Sequence, residues 1–88
     1  MEPSVEALIS LIRRFVAGEI DAQTFDVAYR EAFLHLPLLG EPLFPILDRL
    51  AIECVEYVDV PALREPGDVG DAELAEAARR ALRELDAL

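Results

Sequence analysis

The stretch that decides the fold is residues 11–25, LIRRFVAGEIDAQTF. Its pattern predicts the end of one amphipathic helix, a break at Gly18 and the start of a second helix at Asp21. Glycine adopts the left-handed conformation that ends helices, and aspartate is a preferred N-cap. Ile20 and Phe25 flank the cap at the positions of a hydrophobic staple. Because the link is short, the two helices are predicted to pack antiparallel.

The first helix extends back from this stretch over residues 4–17, with Ser4 as its predicted N-cap. Apolar residues at helical spacing predict its buried stripe: Val5, Leu8, Ile9, Ile12, Phe15 and Val16. The second helix extends forward until Pro37 and Gly40 end it. Its predicted stripe is Phe25, Ala28, Tyr29, Ala32, Phe33 and Leu36.

The third helix is predicted to begin near Glu41 and Pro42 and to end near Val58 or Asp59. Proline is tolerated at the first helical position, and Pro45 is acceptable within the first turn. The inward face is predicted to carry Leu43, Leu47, Leu50, Cys54 and Tyr57.

Residues 59–70 combine prolines, glycines and charges, a composition typical of a loop. Asp71 is the predicted N-cap of the last helix. The inward side chains of that helix are Leu74, Ala77, Ala78, Ala81, Leu82 and Leu85. Four amphipathic helices with short links predict one all-α domain over residues 1–88, an antiparallel four-helix bundle.

The charge balance limits the partners that the chain can bind. Eighteen acidic residues face eight basic ones, all arginines, for a formal net charge of -10. Such a charge repels nucleic acid and anionic membranes, so neither is expected as a partner, and a basic protein is favoured. Acidity that serves only solubility is the alternative. No apolar run spans a membrane and the start lacks a signal peptide, so a cytoplasmic protein is expected.

Residues capable of catalysis or metal binding are sparse. His35 is the only histidine, and although Glu31 lies one turn before it, no third metal ligand stands out. Cys54 has no histidine near it in sequence and falls on the inward stripe, where cysteine acts as a small apolar group. The sequence therefore predicts no enzyme, no metal site and no cofactor. The oligomeric state stays open, with a monomer favoured.

The third helix carries the most informative pattern. The face opposite its apolar stripe holds Asp48, Ile52, Glu56 and, if the helix continues, Asp59, with Glu53 to one side. Carboxylates around an apolar residue suit a protein interface, because charge steers encounter and apolar burial supplies affinity. The other interpretation is a solvated face on which Ile52 and Val55 pack against a neighbouring helix.

Residues 11–25 resemble the opening of the colicin D immunity protein family. Residues 46–57, ILDRLAIECVEY, and the DAEL of residues 71–74 are also similar to it. The resemblance implies a four-helix bundle that blocks a tRNA-cleaving toxin by placing acidic side chains in its basic active site. It implies contact roles for either Glu53 or Glu56, for Tyr57 and for Asp59.

A different class of function is also compatible with the helical pattern. A structural or regulatory adaptor would dock through apolar side chains, with Ile52, Val55 and Leu39 making the contact instead of the carboxylates. The two hypotheses differ in their response to charge reversal on the third helix.

Overall fold

The computed structural model describes residues 3–37 and 39–88. Within these residues the chain forms four α-helices: α1 Pro3–Val16, α2 Ala22–Phe33, α3 Leu43–Glu56 and α4 Asp71–Asp86. A short 3₁₀ turn, Pro61–Leu63, lies between α3 and α4. The predicted all-α fold is confirmed.

The helices form a four-membered ring in which α1 and α3 each pack on both α2 and α4. The contacts between successive helices show that neighbouring helices are antiparallel, because residues near the end of one lie beside residues near the start of the next. The rings of Phe33 and Phe44 lie 6.2 Å apart, while Cys54 near the end of α3 lies beside Asp26 near the start of α2. Arg49 of α3 likewise pairs with Glu84 near the end of α4 at 3.0 Å. The antiparallel four-helix bundle predicted from the sequence is therefore confirmed.

The core follows the predicted stripes. Leu8, Ile12, Phe25, Tyr29 and Leu47 are fully buried. Phe15 and Phe25 stack at 4.5 Å, and Tyr29 donates from its hydroxyl to the carbonyl oxygen of Leu47 at 2.9 Å. Aromatic packing thus joins α1 to α2, and the tyrosine hydrogen bond joins α2 to α3.

The turn between α1 and α2 forms as predicted. Gly18 has a φ of +81° and stands just after the helix end. Its amide donates to Phe15 and that of Glu19 to Arg14, the two hydrogen bonds of a Schellman motif. The Asp21 side chain then accepts from the amide of Thr24 at 2.8 Å.

Five helix ends differ from the prediction, beginning with the start of α1, the end of α2 and the start of α3. Ser4 is not the N-cap, since α1 already includes Pro3, whose fixed φ suits a first turn. The second helix ends at Phe33, before Pro37. Beyond it, the amide of Leu36 donates to the carbonyl of Phe33, a bond that spans three residues as in a 3₁₀ turn. A residue before proline is disfavoured in the α conformation, which stops the helix early. Pro42 precedes α3 as its N-cap instead of opening the helix.

The third helix ends at Glu56, so the prediction that it reaches Val58 or Asp59 is wrong. Tyr57 is extended, and the chain on either side of it pairs with Val69. The amide of Val58 donates to the Val69 carbonyl at 3.0 Å, and the amide of Val69 donates to Glu56 at 3.1 Å. This pairing takes the place of another helical turn, and Asp59 consequently lies outside the α3 face.

The predicted cap of α4 also shifts by one residue. Gly70 is the N-cap, and Asp71 is the first residue of the helix. The Gly70 amide donates to the Glu73 carboxylate at 2.9 Å. The capping side chain therefore comes from inside the helix, whereas the prediction had the Asp71 side chain accept from the helix. A Cβ at Gly70 would lie 2.6 Å from that carboxylate, so a larger residue there would displace the Glu73 side chain from its hydrogen bond.

Candidate partner-binding surface

One side of α3 faces an open groove shared with α2. The groove encloses about 560 Å³, and we call it the α2–α3 groove. Three of the predicted contact residues, Asp48, Ile52 and Glu56, line it together. The remaining lining residues are Arg30, Phe33, Leu34, Ala51 and Val55.

The apolar side chains of this groove are unusually accessible. Leu34 is 81% exposed, Val55 72% and Ile52 50%. One interpretation of the sequence had Ile52 and Val55 packing against a neighbouring helix. Their exposure contradicts it. Leu39, named with them as a contact of an adaptor, instead packs against the core.

The charges of the groove are mainly negative. Within the described chain, neither Asp48 nor Glu56 forms an ion pair. Arg30 is already compensated, because its guanidinium donates to both oxygens of the buried Asp26 at 3.1 and 2.9 Å. Asp48 and Glu56 are separated by eight residues, about 12 Å along a helix. Two free carboxylates thus bracket Ile52 and Val55.

Glu53 points to a different environment. It lies in a shallow cleft between α3 and α4, with Arg49, Arg80 and Glu84. Arg49 is paired with Glu84 there. Glu53 therefore has basic neighbours of its own chain, whereas Glu56 faces the α2–α3 groove.

Tyr57 joins the end of α3 to the start of α4. Its hydroxyl donates to the Asp71 carboxylate at 2.6 Å, and Arg64 donates to the same oxygen at 3.0 Å. Burial, followed by this hydrogen bond, raises the pKa of the Tyr57 phenol. Asp59 lies exposed in the loop that follows, close enough to contribute to that rise in pKa.

Two groups beneath this surface are buried. Burial, with the charge of Asp26 as the next cause, raises the pKa of the Cys54 thiol to about 12. The burial of Asp26 was not predicted from the sequence. Its spacing of four residues from Arg30 was the available signal, since such pairs meet on a helix.

His35 makes only a local contact. Its Nδ1 lies 2.9 Å from the carbonyl oxygen of Glu31. Across residues 3–37 and 39–88, no three or more His, Cys, Asp or Glu side chains gather in a way that could hold a metal ion. In the same part of the chain, no helix has the length and apolar character needed to cross a membrane.

Comparison with known families identifies the chain. The model of a family described as bacterial self-protective colicin-like immunity matches residues 3–85. No curated protein and no solved structure matches the chain. The match covers the first three helices, α4 up to residue 85 and the surface described above. The chain therefore belongs to the bacterial self-protective colicin-like immunity family and is an immunity protein that binds a toxin.

Proposed function

We propose that this immunity protein neutralises a tRNA-cleaving toxin of the colicin D type by placing acidic side chains in the toxin's active site. The observation that supports this most is the pair Asp48 and Glu56. They lie on one face of α3 on either side of Ile52, with Glu56 exposed and Asp48 half-buried. Neither has an ion-pair partner in the described chain.

The electrostatics of a nuclease explain why carboxylates would serve. A site that binds RNA attracts phosphates and must therefore be positive. Carboxylates held on a helix offer the same negative charge without a bond that the nuclease can cleave. The net charge of -10 also accelerates encounter with a basic partner.

The proposed contact residues have different roles. Asp48, Ile52 and Glu56 form the contact along α3, and Asp59 extends it past the helix end. Of the two glutamates, Glu56 is favoured, because Glu53 lies among arginines of its own chain. Tyr57, which directly follows Glu56 in the sequence, holds the end of α3 in place through its hydrogen bond to Asp71.

The proposal also fixes where and how the protein acts. A toxin that cleaves tRNA acts in the cytoplasm, so the immunity protein would bind it there. We propose that it does so as a monomer. Bound toxin could not engage tRNA, and no direct contact between the immunity protein and nucleic acid is required.

The proposal predicts a toxin gene beside the gene for this protein, and the test uses the nuclease domain of that toxin. Cleavage of total tRNA by that domain is measured at rising immunity protein and rising tRNA concentrations. We expect inhibition that more tRNA relieves, because both molecules compete for one site. Inhibition that is independent of tRNA concentration, or a toxin without tRNase activity, would contradict the proposal.

The choice between the two glutamates has its own test. Glu56→Gln removes a charge from the groove, and Glu53→Gln serves as the matched control on the same helix. We expect Glu56→Gln to weaken toxin binding by about tenfold, and Glu53→Gln to change it by less than about threefold. The reverse order, measured by calorimetry, would assign the contact to Glu53.

A second candidate concerns how the protein docks on its partner: through apolar side chains, as an adaptor would, instead of the carboxylates. The exposure of Ile52 and Val55 favours it, although Leu39 packs against the core. Such an adaptor would bind its partner equally well after charge reversal at Asp48 and Glu56. Loss of binding in those variants would exclude it.

A further inference from the structure

The exposed apolar side chains of this protein are not evenly distributed. In the described part of the chain, none of the large apolar side chains with high exposure lies within α1 or α4. Of the eight exposed large apolar residues in the described chain, five belong to α2, α3 or the cap of α2, and the other three are Val60, Leu63 and Leu88. The five are Val27, Leu34, Phe44, Ile52 and Val55. Such a concentration of exposed apolar side chains does not help solubility. Exposed apolar patches instead mark interaction sites.

We propose that the α2–α3 groove, whose lining includes Asp48 and Glu56, is also an apolar anchor site for the toxin. It would accept one or two large apolar side chains of the toxin that have basic residues on both sides. The inference rests on the proposed function, because it takes the partner to be a basic toxin.

The shape of the groove fits this occupant. Phe33 and Ala51 form its inner wall, and the exposed Leu34, Ile52 and Val55 form its apolar rim. Its volume of about 560 Å³ lies within the range of about 300–1,000 Å³ that is typical of sites for small organic groups. Aromatic or aliphatic side chains would lose their water there without leaving a polar group unpaired.

The charges of the groove select the toxin over a second copy of this chain. Asp48 and Glu56 line it about 12 Å apart along α3, and Arg30 is neutralised by Asp26. A second copy would bring the same carboxylates to the same groove, and like charges at an interface are unfavourable. Basic side chains on either side of an apolar anchor would instead meet one carboxylate each.

An apolar anchor affects binding differently from a charge contact. Charges mainly change the association rate and its dependence on salt, whereas apolar burial mainly slows dissociation. The two contributions can therefore be separated by measuring both rates at several salt concentrations.

The experiment compares Leu34→Ala, Val55→Ala and their combination, with Leu88→Ala as the matched control. Leu88 is 64% exposed and follows α4, away from the groove. Alanine favours helix, and the replaced side chains are exposed, so the variants should fold; thermal denaturation checks this. We expect the double variant to bind the toxin about 10–100-fold more weakly through faster dissociation, at every salt concentration. Leu88→Ala should stay within about twofold of the original protein.

Wild-type affinity in the double variant would overturn the anchor site while leaving the carboxylate mechanism intact. Sedimentation showing a dimer that the double variant abolishes, and that toxin does not displace, would also overturn it. If the double variant weakens binding but charge reversal at Asp48 and Glu56 does not, the carboxylate mechanism fails and the anchor site stands.

Discussion

Glu53 and Glu56 illustrate how position decides the role of a residue. The two carboxylates are three residues apart on α3, yet one lies among arginines near α4 and the other at the α2–α3 groove. The helical period places Asp48, Ile52 and Glu56 on one face, which the sequence predicted. The neighbours of that face depend on tertiary packing, and so the pattern could not choose between the glutamates.

Single residues at turns were predictable where the local chemistry is self-contained. Gly18 and Asp21 act as predicted, since a left-handed glycine and an N-cap need only their own backbone. Asp71 does not, because Tyr57 and Arg64 compete for its carboxylate. Those partners lie 14 and 7 residues away in sequence, beyond the reach of a local pattern.

Cys54 gives a prediction at the scale of one thiol. Its pKa is raised from 9.0 to about 12, so the folded protein keeps the thiol protonated while the unfolded chain begins to ionise near pH 9. The unfolded state then binds fewer protons, and stability should decline as the pH rises above about 9. At pH 8 we expect very slow labelling by a thiol reagent, and rapid labelling in denaturant. Fast labelling of the folded protein would show that Cys54 is accessible.

At the scale of helices, the sequence predicted which segments are helical better than where they end. Apolar periodicity is a property of the whole helix, so all four helices appear where predicted. Their ends depend on competing bonds. The third helix ends earlier than predicted because the amide of Val58 donates to Val69 and the amide of Val69 donates to Glu56. No alternation in the sequence marks so short a pairing.

The α1–α2 turn supplies a matched stability test. Alanine at Gly18 would have to adopt a φ of +81°, whereas Gly40 has no such constraint and no atom close to a new Cβ. We expect Gly18→Ala to lower the free energy of unfolding by about 1–2 kcal/mol. Gly40→Ala should leave it unchanged or slightly raised in urea denaturation. Equal effects of the two substitutions would refute the left-handed cap.

The junction of α3 and α4 supplies a second stability test. Tyr57→Phe removes the hydroxyl that donates to Asp71 and should cost roughly 0.5–1.5 kcal/mol. Because the same segment carries the backbone pairing, we expect faster hydrogen exchange at the amides of Val58 and Val69. The amide of Ile12 in α1 serves as the control. Unchanged exchange at Val69 would mean that the pairing does not depend on Tyr57.

At the scale of the whole molecule, the bundle places its two most accessible large apolar side chains in the described chain, Leu34 and Val55, in the same groove as two free carboxylates. The net charge was visible in the composition, and it correctly favoured a protein partner. The coincidence of charge and apolar exposure on the α2–α3 side was not visible, because it depends on how α2 packs against α3. The proposed mechanism needs both features on one surface.

The most direct test of this mechanism is the affinity for the toxin's nuclease domain after charge reversal. The variant Asp48→Arg with Glu56→Arg is compared with Glu6→Arg on α1, a helix that packs on α2 and α4. Affinities are measured at low and high salt. We predict that the double reversal weakens binding at least about 100-fold at low salt and removes most of its salt dependence, while Glu6→Arg has little effect. Equal affinity and equal salt dependence for all three proteins would contradict the account.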